Sequence, residues 1–217
     1  MSEISPRSLQ RRVFLGTAFA GVLGMGVAGQ ARAQATTGGA AQIERLNAAL
    51  LTAMKGGQST PFAQRFQMIA AVIDQSFDLP VIFQRSVGPH WAAMSADEQA
   101  ELLSAFRRYT VANFVANFDT YDGQKFQIDP GTRSVGQDQQ VVTTRFGAPG
   151  QPPQTLAYVM HETPSSWRVV DVLADGSISR VAVQRSDFRT LLSHGGGQAL
   201  LASLQKKVAD LSDGALV

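Results

Sequence analysis

The chain has 217 residues, with 19 Lys and Arg against 17 Asp and Glu, a formal net charge of +2, and no cysteine. Without a thiol there are no disulfides, no cysteine nucleophile and no lipid-modified cysteine anchor, and the near-balance of charge leaves no basic surface for nucleic acid. A composition 44% hydrophobic and 17% charged fits a globular domain with a substantial core.

The first predicted element is a cleaved export signal over residues 1–33. Arg7, Arg11 and Arg12 precede an uncharged stretch over 13–31, and Ala31-Arg32-Ala33 supplies a small-x-small cleavage site. Arg11-Arg12-Val13-Phe14-Leu15, with Ser8 upstream, resembles the twin-arginine motif. Gly16, Gly21, Gly24, Gly26 and Gly29 keep the stretch only mildly hydrophobic, which suits export better than an uncleaved inner-membrane anchor. Cleavage removes four arginines and one glutamate and leaves 184 residues with a net charge of −1. The expected product is a periplasmic protein with a flexible lead-in over 34–41 and one domain over 42–212.

Four helices follow. Ile43, Leu46, Leu50 and Met54 recur every three or four residues. Thr60 is expected to cap a second helix, with Pro61 at its first position and Phe62, Phe66, Ile69 and Ile73 on one face. Asp78, in Phe77-Asp78-Leu79-Pro80, is expected to cap a short third helix that ends at Gly88. Ser95 and Glu98 form a capping box for the longest helix, over 95–118. At 100° per residue, its Leu102, Leu103, Phe106, Tyr109, Val111, Phe114 and Phe118 spread over about 200°, twice the usual apolar stripe. Such a helix needs partners on more than one side. Asn113 and Asn117 fall inside the arc, either as polar points in a greasy cavity or, as expected here, as hydrogen-bonded core amides.

After Tyr121-Asp122-Gly123 the period changes to 2. Strands are predicted over 125–128, 139–146 and 154–162, and a fourth through Trp167-Arg168-Val169-Val170-Asp171-Val172. Asp175-Gly176 makes a turn, and Ser177 is expected to cap the next helix. His194-Gly195-Gly196-Gly197 breaks that helix, and Leu200, Leu204, Val208 and Leu211 stripe a last one. The predicted class is α+β: a four-stranded antiparallel meander packed by about six helices.

No catalytic, metal or cofactor constellation emerges. His90, His161 and His194 lack metal-ligand spacing and read as structural or surface residues. Ser177 does not sit in Gly-x-Ser-x-Gly, and Gly195-Gly196-Gly197 has no following Lys-Ser/Thr. An acid–base site built from Tyr109, Tyr158 and Asp171 is the enzyme alternative.

Several motifs in order carry a resemblance. They are Phe77-Asp78-Leu79-Pro80, Val87-Gly88 with Trp91, the run 109–118, Tyr121-Asp122-Gly123, and Trp167-Arg168-Val169-Val170-Asp171-Val172 with Asp175-Gly176-Ser177. Arg185-Ser186-Asp187-Phe188 and the helix through Leu204 and Lys207 complete the set. Over about 42–208 the chain resembles the MlaC family, also called toluene-tolerance auxiliary proteins. Arg108-Tyr109-Thr110-Val111-Ala112 and the run 172–186 resemble its hopanoid-biosynthesis-associated HpnM branch. Asp175-Gly176-Ser177-Ile178-Ser179 stands where the wider family usually has Glu-Gly-Val-Ser.

The resemblance implies a periplasmic carrier of phospholipid or hopanoid. It would serve an inner-membrane ABC transporter through that transporter's lipid-binding subunit and meet a lipid-handling partner at the outer membrane. It further implies an apolar cavity between sheet and helices that shelters the lipid tails. A two-chain lipid has about 30 methylenes, and wetting them at about 0.8 kcal/mol each costs about 24 kcal/mol, so a carrier needs a dry cavity rather than covalent chemistry. Facing selects the candidate lining: Phe77 and Leu79 at the junction, Phe106, Tyr109, Phe114 and Phe118 on the long helix, and Leu156, Tyr158, Met160 and Trp167 on the sheet. Ordinary core packing is the competing reading for each. A ligand-free scaffold that binds a partner is the remaining functional alternative.

Overall fold

The computed structural model describes residues 38–216. The predicted export signal and the first part of the lead-in lie outside the described residues. The first helix, α1 (Gly39–Gly56), starts three residues earlier than the periodicity suggests. Its first turn lies close against the sheet: a Cβ on Gly39 would stand 2.1 Å from Gln140 Nε2 and 2.8 Å from Met160 Sδ. A side chain there would require Gln140 and Met160 to move.

Helices α2 (Phe62–Ser76), α3 (Leu79–Val87) and α4 (Ala96–Asn117) follow. Thr60 does not cap α2. The residue before a proline is pushed to an extended conformation, and Thr60 sits at φ −93°, ψ 124° with Pro61 in the capping position. Asp78 does cap α3, accepting the Val81 N–H, and Ser95 caps α4, accepting the Glu98 N–H. α4 packs against α2, α3 and α5 (Arg180–Leu211), which gives its wide apolar arc the several partners it needs.

The sheet has six strands, not four. They are β1 (Lys125–Ile128), β2 (Arg133–Val135), β3 (Gln139–Gly147), β4 (Gln154–Glu162), β5 (Trp167–Ala174) and β6 (Ile178–Ser179). β1 and β2 lie along the same edge, β1 pairing with β3 over 144–147 and β2 over 139–141. Pro130 and Gly131 interrupt that edge, where a missing donor is tolerated. From there β3, β4, β5 and β6 run as an antiparallel meander. Asp175 (φ 50°) and Gly176 (φ 73°) are the central residues of the tight turn that returns the chain as β6, where Ala174 pairs with Ile178. Ser177 therefore closes that turn, donating its N–H to the Ala174 carbonyl. The cap of α5 is Ser179, whose Oγ accepts the Ala182 N–H at 3.0 Å.

Among the described residues there are five α-helices rather than about six, because the two predicted last helices are joined in α5. The predicted break survives inside it: Gly196 has φ 61° and ψ −159°. Register places Val142, Tyr158 and Val172 side by side, with Leu156 one step along and Met160 beside Val169 across a bulge. This face and the helices share one hydrophobic core.

Candidate cleft between the sheet, α3, α4 and α5

One side chain fixes the junction between α2 and α3. Asp78 Oδ1 caps α3, and Asp78 Oδ2 accepts the His161 Nε2–H at 2.9 Å. The Asp78 N–H bonds the Val169 carbonyl at 2.9 Å, and Phe77 bridges Val169. Phe77 and Leu79 are thus pinned on either side of a residue tied to β4 and β5. A second corner lies at the start of α5. Asp171 Oδ1 accepts the N–H groups of Val172 and Val181, and its Oδ2 accepts the Ser179 hydroxyl at 2.5 Å.

Between these corners lies a cleft of about 490 Å³, open to solvent on one side. α4 contributes two parallel rows, because residues four apart stack on a helix. One row is Phe106, Thr110, Phe114 and Phe118, and the other is Tyr109, Asn113 and Asn117. The first row continues an aromatic chain. Phe77 meets Phe114 at 5.4 Å between ring centroids, Phe114 meets Phe118 at 6.0 Å, and Phe118 meets Phe146 at 5.4 Å. The second row is polar. Asn113 and Asn117 are not core amides: both line the cleft, and Asn117 Nδ2 donates to the Asn113 carbonyl at 2.7 Å.

Eight of the ten candidate residues line this cleft: Phe77, Leu79, Phe106, Tyr109, Phe114, Phe118, Leu156 and Tyr158. Phe106 is also a core residue, fully buried and stacked on Phe83 at 4.9 Å. Met160 and Trp167 are elsewhere. Both lie beneath the start of α1, Met160 against Gly39 and Trp167 against Gly38. Alternation puts Met160 on the same face as Leu156 and Tyr158, but it does not say which helix covers each end of a strand.

Lining residues absent from the sequence reading include Ile82, Phe146, Val172, Arg180, Val181 and Gln184. Alternation along β3 carries a signal for Phe146, the partner of Phe126 and Gln154 in register. Arg180 and Gln184 have none, since the angle at which α5 crosses the sheet is set by the Asp171 corner. Burial pushes the Tyr158 phenol far above the ordinary tyrosine range. Tyr109 is raised as well, chiefly by burial, with Arg180 lowering it and Asp187 raising it. No hydrogen bond joins Asp171 to either tyrosine among the described residues, and its carboxylate is committed to the β5–α5 corner. His161 is structural, and among the described residues no cluster of side chains could hold a metal ion.

A larger hollow of about 680 Å³ separates α4 from the second half of α5. Glu101, Arg108 and Lys206 line it beside the aliphatic Ala105, Leu201, Val208 and Leu216, and no aromatic ring does.

The model of the family described as MlaC protein matches residues 44–206. A similar solved structure is that of the phospholipid-binding protein from Ralstonia solanacearum in complex with a phospholipid, at a TM-score of 0.71 and 19% identity, covering 81% of this chain and 99% of that one. At that identity the likeness speaks for the fold alone. No curated protein sequence matches.

Proposed function

The chain belongs to the MlaC protein family, and from that premise we propose that it is a periplasmic carrier sheltering the tails of a phospholipid or hopanoid in the cleft beside α4. The observation that carries this reading is the aromatic row Phe106, Phe114 and Phe118, which faces Leu156 and Tyr158 across a cleft bordered by polar groups. An apolar floor removes methylenes from water at about 0.8 kcal/mol each, while the open side leaves room for a polar headgroup. The Ralstonia solanacearum protein of the same fold was solved with a phospholipid, which agrees with this use of the fold.

In this reading the export signal delivers the protein to the periplasm by the twin-arginine route. Cargo then passes between an inner-membrane ABC-transporter lipid-binding subunit and an outer-membrane partner. No chemical step is required of the chain, and Tyr109, Tyr158 and Asp171 act as wall and corner rather than as an acid–base set. Native mass spectrometry of the purified protein, before and after incubation with liposomes, tests the proposal. Bound lipid masses are expected. A protein that co-purifies with no lipid and extracts none from liposomes refutes it.

A further inference from the structure

Residues 212–216, which follow α5, fold back toward α4. Asp213 (φ 48°) and Gly214 (φ 78°) are both left-handed and reverse the chain at the end of the helix. The Gly214 N–H bonds the Ala209 carbonyl, the Ala215 N–H bonds the Ser212 carbonyl, and the Leu216 N–H bonds Ser212 Oγ. These bonds are all local. Among the described residues, the segment's single hydrogen bond to another element runs from Arg108 Nη2 to the Leu216 carbonyl. The half-buried Leu216 also lines the hollow of about 680 Å³. That hollow is a groove between two helices running side by side in one direction. A Cβ on Gly197 would meet Glu98 in the first turn of α4, and further along both helices Lys207 lies over the Tyr109 ring. Each helix lines the groove with a row of i, i+4, i+7 spacing: Glu101, Ala105 and Arg108 from α4, and Leu201, Gln205 and Val208 from α5. Ala105, Leu201 and Val208 are buried, while Glu101, Arg108 and Gln205 are exposed, the apolar centre and polar rim of a protein interface. Lys206 is paired with Asp210. Glu101 and Arg108, about 10 Å apart along α4, form no ion pair among the described residues.

We infer that this groove docks a segment of a partner protein, and that residues 212–216 are a displaceable strap across one end of it. The inference stands apart from the carrier reading, since the groove and the cleft share no lining residue. The strap shows what the groove accepts: an aliphatic side chain beside the floor and an oxygen on the Arg108 guanidinium. The two unpaired charges set the rest. The partner segment carries an acidic group for Arg108 and, further along, a basic group for Glu101. A carboxylate presents two oxygens to the paired N–H donors of the guanidinium, where the Leu216 carbonyl presents one, so an acidic segment displaces the strap. The strap gives way without disturbing the core, because its other hydrogen bonds are internal and move with it.

The probe is the strap's own sequence, a fluorescein-labelled, amidated peptide of residues 211–217, followed by fluorescence anisotropy against the full chain. In the wild type the tethered strap competes with the peptide. Leu216→Ser weakens the strap and should bind the peptide about tenfold more tightly. A second peptide with Val217→Asp sets a carboxylate near Arg108. It should bind about three- to tenfold more tightly than the first, and Leu216→Ser/Arg108→Gln should lose that gain. Ala202 is exposed on the groove wall, so Leu216→Ser/Ala202→Arg should abolish binding of both peptides. Thermal unfolding close to that of the wild type is expected of each variant and checks the fold. In the unsubstituted protein, the Leu216 amide should exchange at least about a hundredfold faster than that of the buried Leu204. Equal affinity of the wild type and Leu216→Ser, or binding by neither, overturns the inference. So does binding that survives Ala202→Arg, or a Leu216 amide as protected as that of Leu204. A Val217→Asp peptide without a gain overturns the acidic partner. Displacement of the peptide by octanoate gives the groove to an alkyl chain, and dimerisation of Leu216→Ser in sedimentation gives it to a second copy; either overturns the partner segment.

Discussion

Replacing Asp78 by Ala removes two interactions at one corner. The first is the cap of α3, worth about 1 kcal/mol. The second is the 2.9 Å bond from His161, about 1–2 kcal/mol for a charged acceptor whose side chain is 18% exposed. The backbone bond from the Asp78 N–H to Val169 survives the change. The expected loss is therefore about 2–3 kcal/mol, or about 4–12 °C in Tm at 2–4 °C per kcal/mol for a domain of this size. Asp78→Asn keeps a good capping group and should cost about half as much. Urea denaturation of Asp78→Ala, His161→Ala and the double variant isolates the pair, and a coupling of about 0.5–1.5 kcal/mol is expected. Because Phe77 and Leu79 flank Asp78 and both line the cleft, lipid retention should fall with it. Single losses that add within about 0.3 kcal/mol refute the clamp, as does an Asn variant no more stable than Ala.

Three further outcomes are expected. Burial holds the Tyr158 proton in the folded chain, while the unfolded chain releases it above about pH 10, so stability is unaffected below that pH and falls by up to about 1.4 kcal/mol per pH unit above it. Tyr158→Phe should flatten that alkaline slope, and identical slopes for the two proteins in urea titrations rule out burial as its cause. Gly196→Ala forces a side chain onto φ 61°, ψ −159°, which should cost about 1–3 kcal/mol by chemical denaturation; a neutral result means that α5 runs straight without strain. Arg65 is buried and donates to the carbonyls of Thr60 and Val115, so Arg65→Met should lose about 1–3 kcal/mol by leaving those acceptors bare, and an unchanged urea midpoint counts against it.

The helices and long strands were legible because their periods are local. Phe106, Phe114 and Phe118 share a face of α4 by helix geometry alone, and β3, β4 and β5 run for 8 or 9 residues between turn signals. β2 and β6, at 3 and 2 residues, are too short to set a period. The joining of the last two helices was equally hidden, since a glycine at positive φ marks a break without saying whether helix resumes at once. Within the site, α4 and the junction could be read from sequence, and the α5 wall could not. Arg180 enters the cleft because Asp171, nine residues earlier, fixes the corner through Ser179 and Val181. Met160 and Trp167 lie outside the cleft for the converse reason. Their face was legible, but the close approach of α1 over them depends on Gly38 and Gly39, which as sequence resemble a linker.

In the carrier proposed above, the two rows on α4 would let one cleft stand both empty and loaded. An unfilled apolar hollow loses the contacts of its lining and has no groups to hold water. Tyr109, Asn113 and Asn117 supply such groups along one side, which lowers the cost of standing open. Phe114, Phe118 and Leu156 supply the dry surface that favours a bound chain. Neither row works without a fixed separation between α4 and the sheet. That separation is held from two ends by carboxylates committed to hydrogen bonds within the chain: Asp78 ties α3 to β4 and β5, and Asp171 ties β5 to α5. Both carboxylates are thus committed to the frame, and the aromatic floor carries no charge. A charge placed on the floor would have to be desolvated each time a lipid entered, at a cost of several kcal/mol.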